Sequence, residues 1–111
     1  ALYSVRPPAA PSDLAATATS PSSVRLTWAD NSTDETGFVV ERSANGAAFA
    51  AVAAGGANAT AYDDTGLAAG TTYTYRVRAT NAAGPGAPSA TATATTPSDR
   101  TVVTVSTTTQ F

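Results

Sequence analysis

The segment TYTYRVRAT, residues 72–80, alternates apolar and polar side chains with a period of two. Tyr73 and Tyr75 share one parity, whereas Arg76 and Arg78 share the other. Successive side chains of a β-strand point to opposite faces, whereas a helix would distribute these residues around its surface. The segment is therefore predicted to be a strand with one face in a core and the other toward water.

Short segments of this kind recur along the 111 residues, are separated by turn residues, and show no helical period. The predicted strands are residues 13–19, 23–29, 38–43, 47–53, 61–62, 72–80 and 89–96. Such regular spacing is typical of two antiparallel sheets packed as a sandwich. We therefore predict an all-β, seven-stranded antiparallel sandwich. Its predicted core consists of Trp28, Phe38, Val40, Leu67, Tyr73, Tyr75 and Val77.

Residues 11–97 resemble a fibronectin type III domain. The resemblance rests on Pro11, Trp28, the segment GFVVERS (37–43) and the segment LAAGTTYTYRVRATNAAG (67–84). It implies an immunoglobulin-like sandwich in which the hydroxyl of Tyr73 bonds back to nearby backbone, as in a tyrosine corner. The segment DNSTDETGFVVERS, residues 30–43, is also similar to modules of secreted bacterial proteins, which are often found beside carbohydrate-active enzymes.

Part of the family's known adhesion chemistry is not implied by the resemblance. The loop NAAGPGAPS, residues 81–89, contains no Arg-Gly-Asp sequence. The integrin adhesion of some family members is therefore not expected here.

The composition excludes several functional classes. The chain has no His and no Cys, which removes the commonest general base, disulfides and thiolate metal sites. Only 13% of residues are charged, the net charge is −2, and the six Arg are dispersed, so nucleic acid is not an expected partner. No apolar run is long enough for membrane insertion. We expect neither catalysis nor a cofactor.

One polar loop has a spacing that resembles a calcium-binding loop. Asp30, Ser32, Asp34 and Glu41 occupy ligand-like positions, but Glu35 stands where the loop needs a Gly. Glu41 is also predicted to lie within a strand. We therefore interpret the polar residues of this loop as turn formers.

Two other sets of charged residues receive structural interpretations. Asp63 and Asp64 are adjacent, so their side chains point apart and are predicted to cap a loop rather than flank a substrate. Glu41 is predicted to pair across strands with Arg76 or Arg78, on the outer face of the sheet.

Two separate hypotheses concern carbohydrates, one about glycosylation of the chain and the other about binding of a polysaccharide. Asn31 and Asn58 begin the sequons NST and NAT, which makes them candidate glycosylation sites. A binding platform for polysaccharide would need exposed rings, for which Tyr3, Phe49 and Phe111 are the candidates. Phe49 is expected instead to pack on a sheet edge.

The two ends of the chain extend beyond the predicted domain. Residues 1–10 are predicted to be an extended segment stiffened by Pro, and residues 98–111 a strand-like extension. These ends are interpreted either as linkers to adjacent modules or as strands that pair with identical subunits. The second alternative would produce an open filament. Its candidate assembly residues are Leu2, Tyr3, Val103, Val105 and Phe111.

These observations favour a non-catalytic extracellular structural or interaction module, secreted or on a cell surface. Ala at position 1 and the absence of Met fit a processed chain. Two alternatives remain open: a self-assembling filament subunit joined through its terminal strands, and a carbohydrate-binding accessory module of a secreted hydrolase.

Overall fold

Residues 6–98 are described by a computed structural model, in which they form eight β-strands and no helix. This part of the chain accordingly has no helix with the length and hydropathy to cross a membrane. The strands are β1 (Ser12–Ser20), β2 (Ser23–Ala29), β3 (Gly37–Ala44), β4 (Ala50–Gly56), β5 (Ala61–Asp64), β6 (Thr72–Asn81), β7 (Gly84–Pro85) and β8 (Ala92–Thr95).

The strands form two antiparallel sheets. The smaller sheet has the order β1-β2-β5, and the larger has the order β4-β3-β6, with both β7 and β8 pairing with β6. Every pairing is antiparallel. The predicted all-β, immunoglobulin-like sandwich is confirmed.

The eighth strand is β7, a two-residue pairing inside the predicted loop 81–88. It was not predicted because two residues are too few to show an alternating pattern.

Two strands begin three residues later than predicted, in each case because of local hydrogen bonds. Asn45 and Gly46 both have positive φ and form the predicted turn, but β4 begins only at Ala50 because Ala47 still bonds to the turn. The last strand begins at Ala92 rather than at 89, because the Ser89 hydroxyl accepts the Val77 N–H in place of a ladder carbonyl.

A single hydrophobic core lies between the sheets, and all seven residues predicted for the core lie in it. The rings of Trp28 and Phe38 lie in this core with their centroids 5.8 Å apart. The core also contains Val24, Leu26, Ala79 and Ala94. Burying a large apolar side chain contributes about 1.5–3 kcal/mol, so this cluster is the main source of stability.

Candidate functional site: the two chain ends and the outer sheet face

The N-terminal segment 6–10 is held against the sandwich by two side-chain amides. The Asn81 amide donates a hydrogen bond to the carbonyl of Arg6 at 2.8 Å. The Asn31 amide donates one to the carbonyl of Ala10 at 3.0 Å. Asn31 lies in the loop between β2 and β3, whereas Asn81 is the last residue of β6, so the chain approaches β1 along a defined path.

A close backbone approach completes this attachment. Pro8 is buried, and a Cβ placed on Gly86 would collide with the Pro8 carbonyl oxygen. Gly86 is itself positioned by its N–H, which donates to Ala79, and by its carbonyl, which accepts from Arg78 at 2.9 Å. We call the contacts of Asn31, Asn81 and Gly86 with residues 6–10 the N-terminal clamp.

The other end of the described chain is attached to the loop between β5 and β6. Thr96 is buried, and its hydroxyl donates to the carbonyl of Ala68 at 2.7 Å. The Thr96 N–H donates to Thr71, and the Gly70 N–H donates to the carbonyl of Pro97 at 3.1 Å. We call these contacts the C-terminal clamp.

The tyrosine corner stabilises the same loop. The Ala68 N–H donates to the hydroxyl oxygen of Tyr73 at 2.9 Å, which is the backbone contact that the family resemblance implied. Tyr73 is buried and its ring lies 6.5 Å from that of Tyr75. The loop that holds the C-terminal clamp is thus anchored to the core.

The two clamps lie at opposite ends of the sandwich. β6 begins at Thr72, next to the C-terminal clamp, and ends at Asn81, which belongs to the N-terminal clamp. Its 10 residues span roughly 30 Å at the rise of a strand. The polypeptide therefore enters the sandwich at one end and leaves it at the other.

The outer face of the larger sheet carries a charged network. One carboxylate oxygen of Glu41 accepts from the Nε of Arg76 at 2.5 Å and from the Nε of Arg78 at 3.1 Å, so both predicted partners are engaged. Burial opposes the charge on Glu41, but these hydrogen bonds still lower its pKa. The three side chains are only 18–27% exposed, which makes them part of the sheet surface.

Phe49 adjoins this network rather than presenting a free ring. The guanidinium carbon of Arg76 lies 4.2 Å from the centroid of the Phe49 ring. Phe49 is half-buried directly before the edge strand β4, at the place predicted for it. One face of this candidate sugar platform is therefore occupied by a cation–π contact.

The expectation that Asp63 and Asp64 cap a loop is wrong, because both residues lie in β5. Asp63 is exposed and bonds to Arg25 on the outer face of the smaller sheet. Asp64 is buried, and its carboxylate accepts from Arg42 at 3.0 and 2.9 Å and from the Tyr75 hydroxyl at 2.7 Å. Successive side chains of a strand point to opposite faces of the sheet, which explains why two adjacent residues have such different environments.

The Asp64 cluster was not found from the sequence, although one signal was present. Arg42 shares the parity of Phe38 and Val40, so a charged residue on the core-facing side of β3 requires a buried partner. Burial in the core raises the pKa of Tyr75, and the hydrogen bond to Asp64 adds to this effect. Tyr75 therefore remains a neutral donor.

The loop that resembles a calcium site uses its carboxylates for its own hydrogen bonds. Asp30 accepts from the N–H and the hydroxyl of Ser32. The buried Glu35 carboxylate accepts from the Ser32 hydroxyl at 2.7 Å and from the Asn58 N–H at 3.0 Å. The Ser32 hydroxyl and the backbone N–H groups of Glu35 itself and Asn58 lower the pKa of Glu35 from 4.5 to about 2. Glu41 lies on β3, away from this loop.

Both predicted sequons lie at the end of the sandwich that carries the Glu35 cluster. Asn31 is exposed, but its amide is engaged in the N-terminal clamp. Asn58 is exposed in a turn with a positive φ of 65°. Glycosylation of either residue stays a prediction.

Residues 6–98 bring together no group of three or more His, Cys, Asp or Glu side chains that could hold a metal ion. The candidate assembly residues lie outside the described residues, and their role likewise stays a prediction: Leu2, Tyr3, Val103, Val105 and Phe111.

This geometry defines the class of immunoglobulin-like β-sandwich modules, whose chain enters and leaves at opposite ends. The sequence profile of the fibronectin type III domain matches residues 9–95, and the chain belongs to this family. The predicted boundaries at residues 11 and 97 remain predictions, and the described residues 6–10 of the predicted linker already pack on the sandwich.

Known relatives come from different kinds of protein. A poly(3-hydroxybutyrate) depolymerase from Ralstonia pickettii is 44% identical over 90 residues, which cover 80% of this chain and 17% of the depolymerase. A Fn3-like protein from Clostridium thermocellum is 32% identical with a TM-score of 0.68, covering 83% of this chain and 96% of that one. Titin domains A168–A170 are 29% identical with a TM-score of 0.72, covering 82% and 32% of the respective chains.

Proposed function

We propose that this chain is a non-catalytic spacer module of an extracellular multidomain protein. The observation that supports this most directly is the pair of clamps at opposite ends of the sandwich. A module held in this way would keep the modules on either side of it in a fixed relative orientation, separated by roughly 30 Å. Its partners would be these adjacent modules of the same protein.

The relative in Ralstonia pickettii gives the proposal a context. The chain corresponds to 17% of that depolymerase, so the enzyme has room for its chemistry elsewhere in its polypeptide. This chain has no His and no Cys. Five of its carboxylates are used in ion pairs and loop hydrogen bonds, those of Asp30, Glu35, Glu41, Asp63 and Asp64. We infer an accessory role beside a polymer-degrading domain, and export from the cell together with it.

The spacer role is tested by placing the full chain between two reporter domains that each carry one spin label. The chain is suited to this experiment because it contains no Cys of its own. Double electron–electron resonance measures the distribution of distances between the two labels. This distribution should be narrower for the chain than for a Gly/Ser linker adjusted to the same mean distance. An equally broad distribution would contradict the proposal.

Two variants make this measurement specific to the N-terminal clamp. Asn81→Ala removes the bond to Arg6 and should broaden the distribution, whereas Asn58→Ala, in an exposed turn, should leave it unchanged. The absence of catalysis is tested separately, by incubating the chain with poly(3-hydroxybutyrate) granules. Release of soluble products would contradict that part of the proposal.

Of the two alternatives, self-assembly has a structural observation in its favour. Within residues 6–98, β4 pairs with β3 alone, and it carries no charged residue. Polysaccharide binding has less support, because the ring of Phe49 already contacts Arg76. The polymer named for the depolymerase is a polyester rather than a polysaccharide.

A further inference from the structure

The free edge of β4 has few of the features that prevent strand pairing. Its sequence, AAVAAGG, contains no charged residue and no Pro. In the part of the chain that the structure describes, β3 is its only neighbour in the sheet. An uncharged edge with unpaired backbone groups is a template for an added strand. Within residues 6–98 a bulge at Val52 offers some protection, but beyond it Ala53–Gly56 pairs regularly with β3.

The core is incompletely covered next to this edge. Val52, Ala53, Ala59 and Tyr62 pack against the buried cluster, but each remains half-exposed. The bulge contributes to this, because the adjacent residues Val52 and Ala53 both contact the core. On the outer side of the same strand, Ala51 and Ala54 are exposed. A strand added here would thus have an apolar surface on its inner side and water on its outer side.

Residues 101–111, TVVTVSTTTQF, have a sequence that complements this edge. The segment has no charge and no Pro, and its 11 residues exceed the seven of β4. Val103 and Val105 share one parity, while Thr104 and Ser106 share the other. We propose that the free edge of β4 binds residues 101–111 of a second copy of this chain as an added strand. Val103 and Val105 then cover Val52 and Tyr62, and Thr104 and Ser106 face water.

Distance favours a second copy over the same chain. β8 and β4 are the two outer strands of the larger sheet, separated by β6 and β3. A strand beyond β4 would lie about 19 Å from β8, at four strand spacings. Crossing this distance from Ser98 would use about six extended residues and remove Val103 from the pairing. In a second copy, the whole segment is available.

The proposed contact joins two different surfaces and therefore does not close on itself. Each chain offers one edge and one segment, so the association continues from copy to copy as a chain of subunits. This inference rests on the self-assembly alternative and not on the spacer role. The spacer proposal is tested by a distance distribution and the assembly proposal by a molecular mass. One proposal can therefore be contradicted without the other.

Sedimentation equilibrium of the full chain tests the inference with two complementary variants. The edge variant, Ala51→Lys with Ala54→Lys, puts charges on β4 at exposed positions. The segment variant, Val103→Lys with Val105→Lys, replaces the two valines that are proposed to cover Val52 and Tyr62. Wild-type mass should rise with concentration beyond that of a dimer, and each variant alone should remain a monomer.

Mixing the two variants provides the decisive measurement. The edge variant still supplies an intact segment and the segment variant an intact edge, so an equimolar mixture should give dimers and nothing larger. Lys in both variants prevents a new ion pair between the altered surfaces. A matched control, Ala15→Lys with Thr17→Lys, adds the same charges at exposed positions of β1 and should associate like the wild type.

Three results would overturn the inference. The first is a wild type that is strictly monomeric, and the second is a mixture of the two variants that remains monomeric. The third is association of the segment variant by itself, which would indicate pairing of β4 with β4. Circular dichroism melts of both variants verify that each sandwich is folded.

Discussion

The hydroxyl of Tyr75 donates a hydrogen bond of 2.7 Å to the carboxylate of Asp64, and so joins the two sheets inside the core. Arg42 bonds to the same carboxylate from β3 at 2.9 Å. Asp64 is only 3% exposed, so its charge depends on these donors rather than on water. The cluster is therefore a structural element that links β5 with β3 and β6.

Removal of the Asp64 carboxylate should destabilise the sandwich strongly. Asp64→Ala leaves the Arg42 charge and the Tyr75 hydroxyl without their acceptor, and we expect a loss of about 2–4 kcal/mol. Asp63→Ala is the matched control, since it removes an exposed ion pair with Arg25 and should cost about 0–1 kcal/mol. Urea unfolding measures both, and equal effects would contradict a structural role for Asp64.

The tyrosine corner should contribute through its hydroxyl alone. Tyr73→Phe keeps the buried ring but leaves the Ala68 N–H without its acceptor, so unfolding should require about 1–2 kcal/mol less. The hydroxyl of the half-exposed Tyr62 forms no hydrogen bond within residues 6–98, and Tyr62→Phe should change stability by less than about 0.5 kcal/mol. Thermal melts of the two variants provide the comparison, and identical melting temperatures would argue against the corner.

The N-terminal clamp should not tolerate a side chain at Gly86. In Gly86→Ala the new Cβ would collide with the Pro8 carbonyl, and we expect a loss of about 1–3 kcal/mol. No described residue lies within 4 Å of a Cβ at Gly56, so Gly56→Ala should be neutral or slightly stabilising. Denaturant titration distinguishes the two. If both substitutions proved neutral, residues 6–10 would not be held as described.

Acid should weaken the loop that Glu35 organises. Its pKa is about 2 in the folded protein and 4.5 ordinarily, so ionised Glu35 stabilises the fold above pH 4.5. That contribution should disappear as the pH falls from 4.5 toward 2, because the unfolded chain takes up the proton first.

The Glu35 contribution can be separated from that of other carboxylates by substitution. Glu35→Gln should flatten the dependence of the urea midpoint on pH between 4.5 and 2.5. The exposed Asp34→Asn should retain the wild-type dependence. A wild-type slope in Glu35→Gln would contradict the assignment.

The alternating sequence alone was sufficient to predict seven of the eight strands, the sheet faces and most of the core. Side-chain direction in a strand is a local property, so the parity of Tyr73, Tyr75 and Val77 already placed them together. The family resemblance added the corner at Tyr73, because that contact joins residues only five positions apart. The cross-strand pairing of Glu41 with Arg76 or Arg78 was also predicted, since all three side chains were placed on the outer face of the sheet.

Only the tertiary structure decided the contacts between residues distant in sequence. Arg42 meets Asp64 across 22 positions, and Asn81 meets Arg6 across 75. No local pattern encodes these contacts, because they depend on how two sheets and their connecting loops pack. The same holds for Asp63 and Asp64, adjacent in sequence and equally acidic. One faces water and the other the core, since the register of β5 against β2 sets which side of the sheet each side chain occupies.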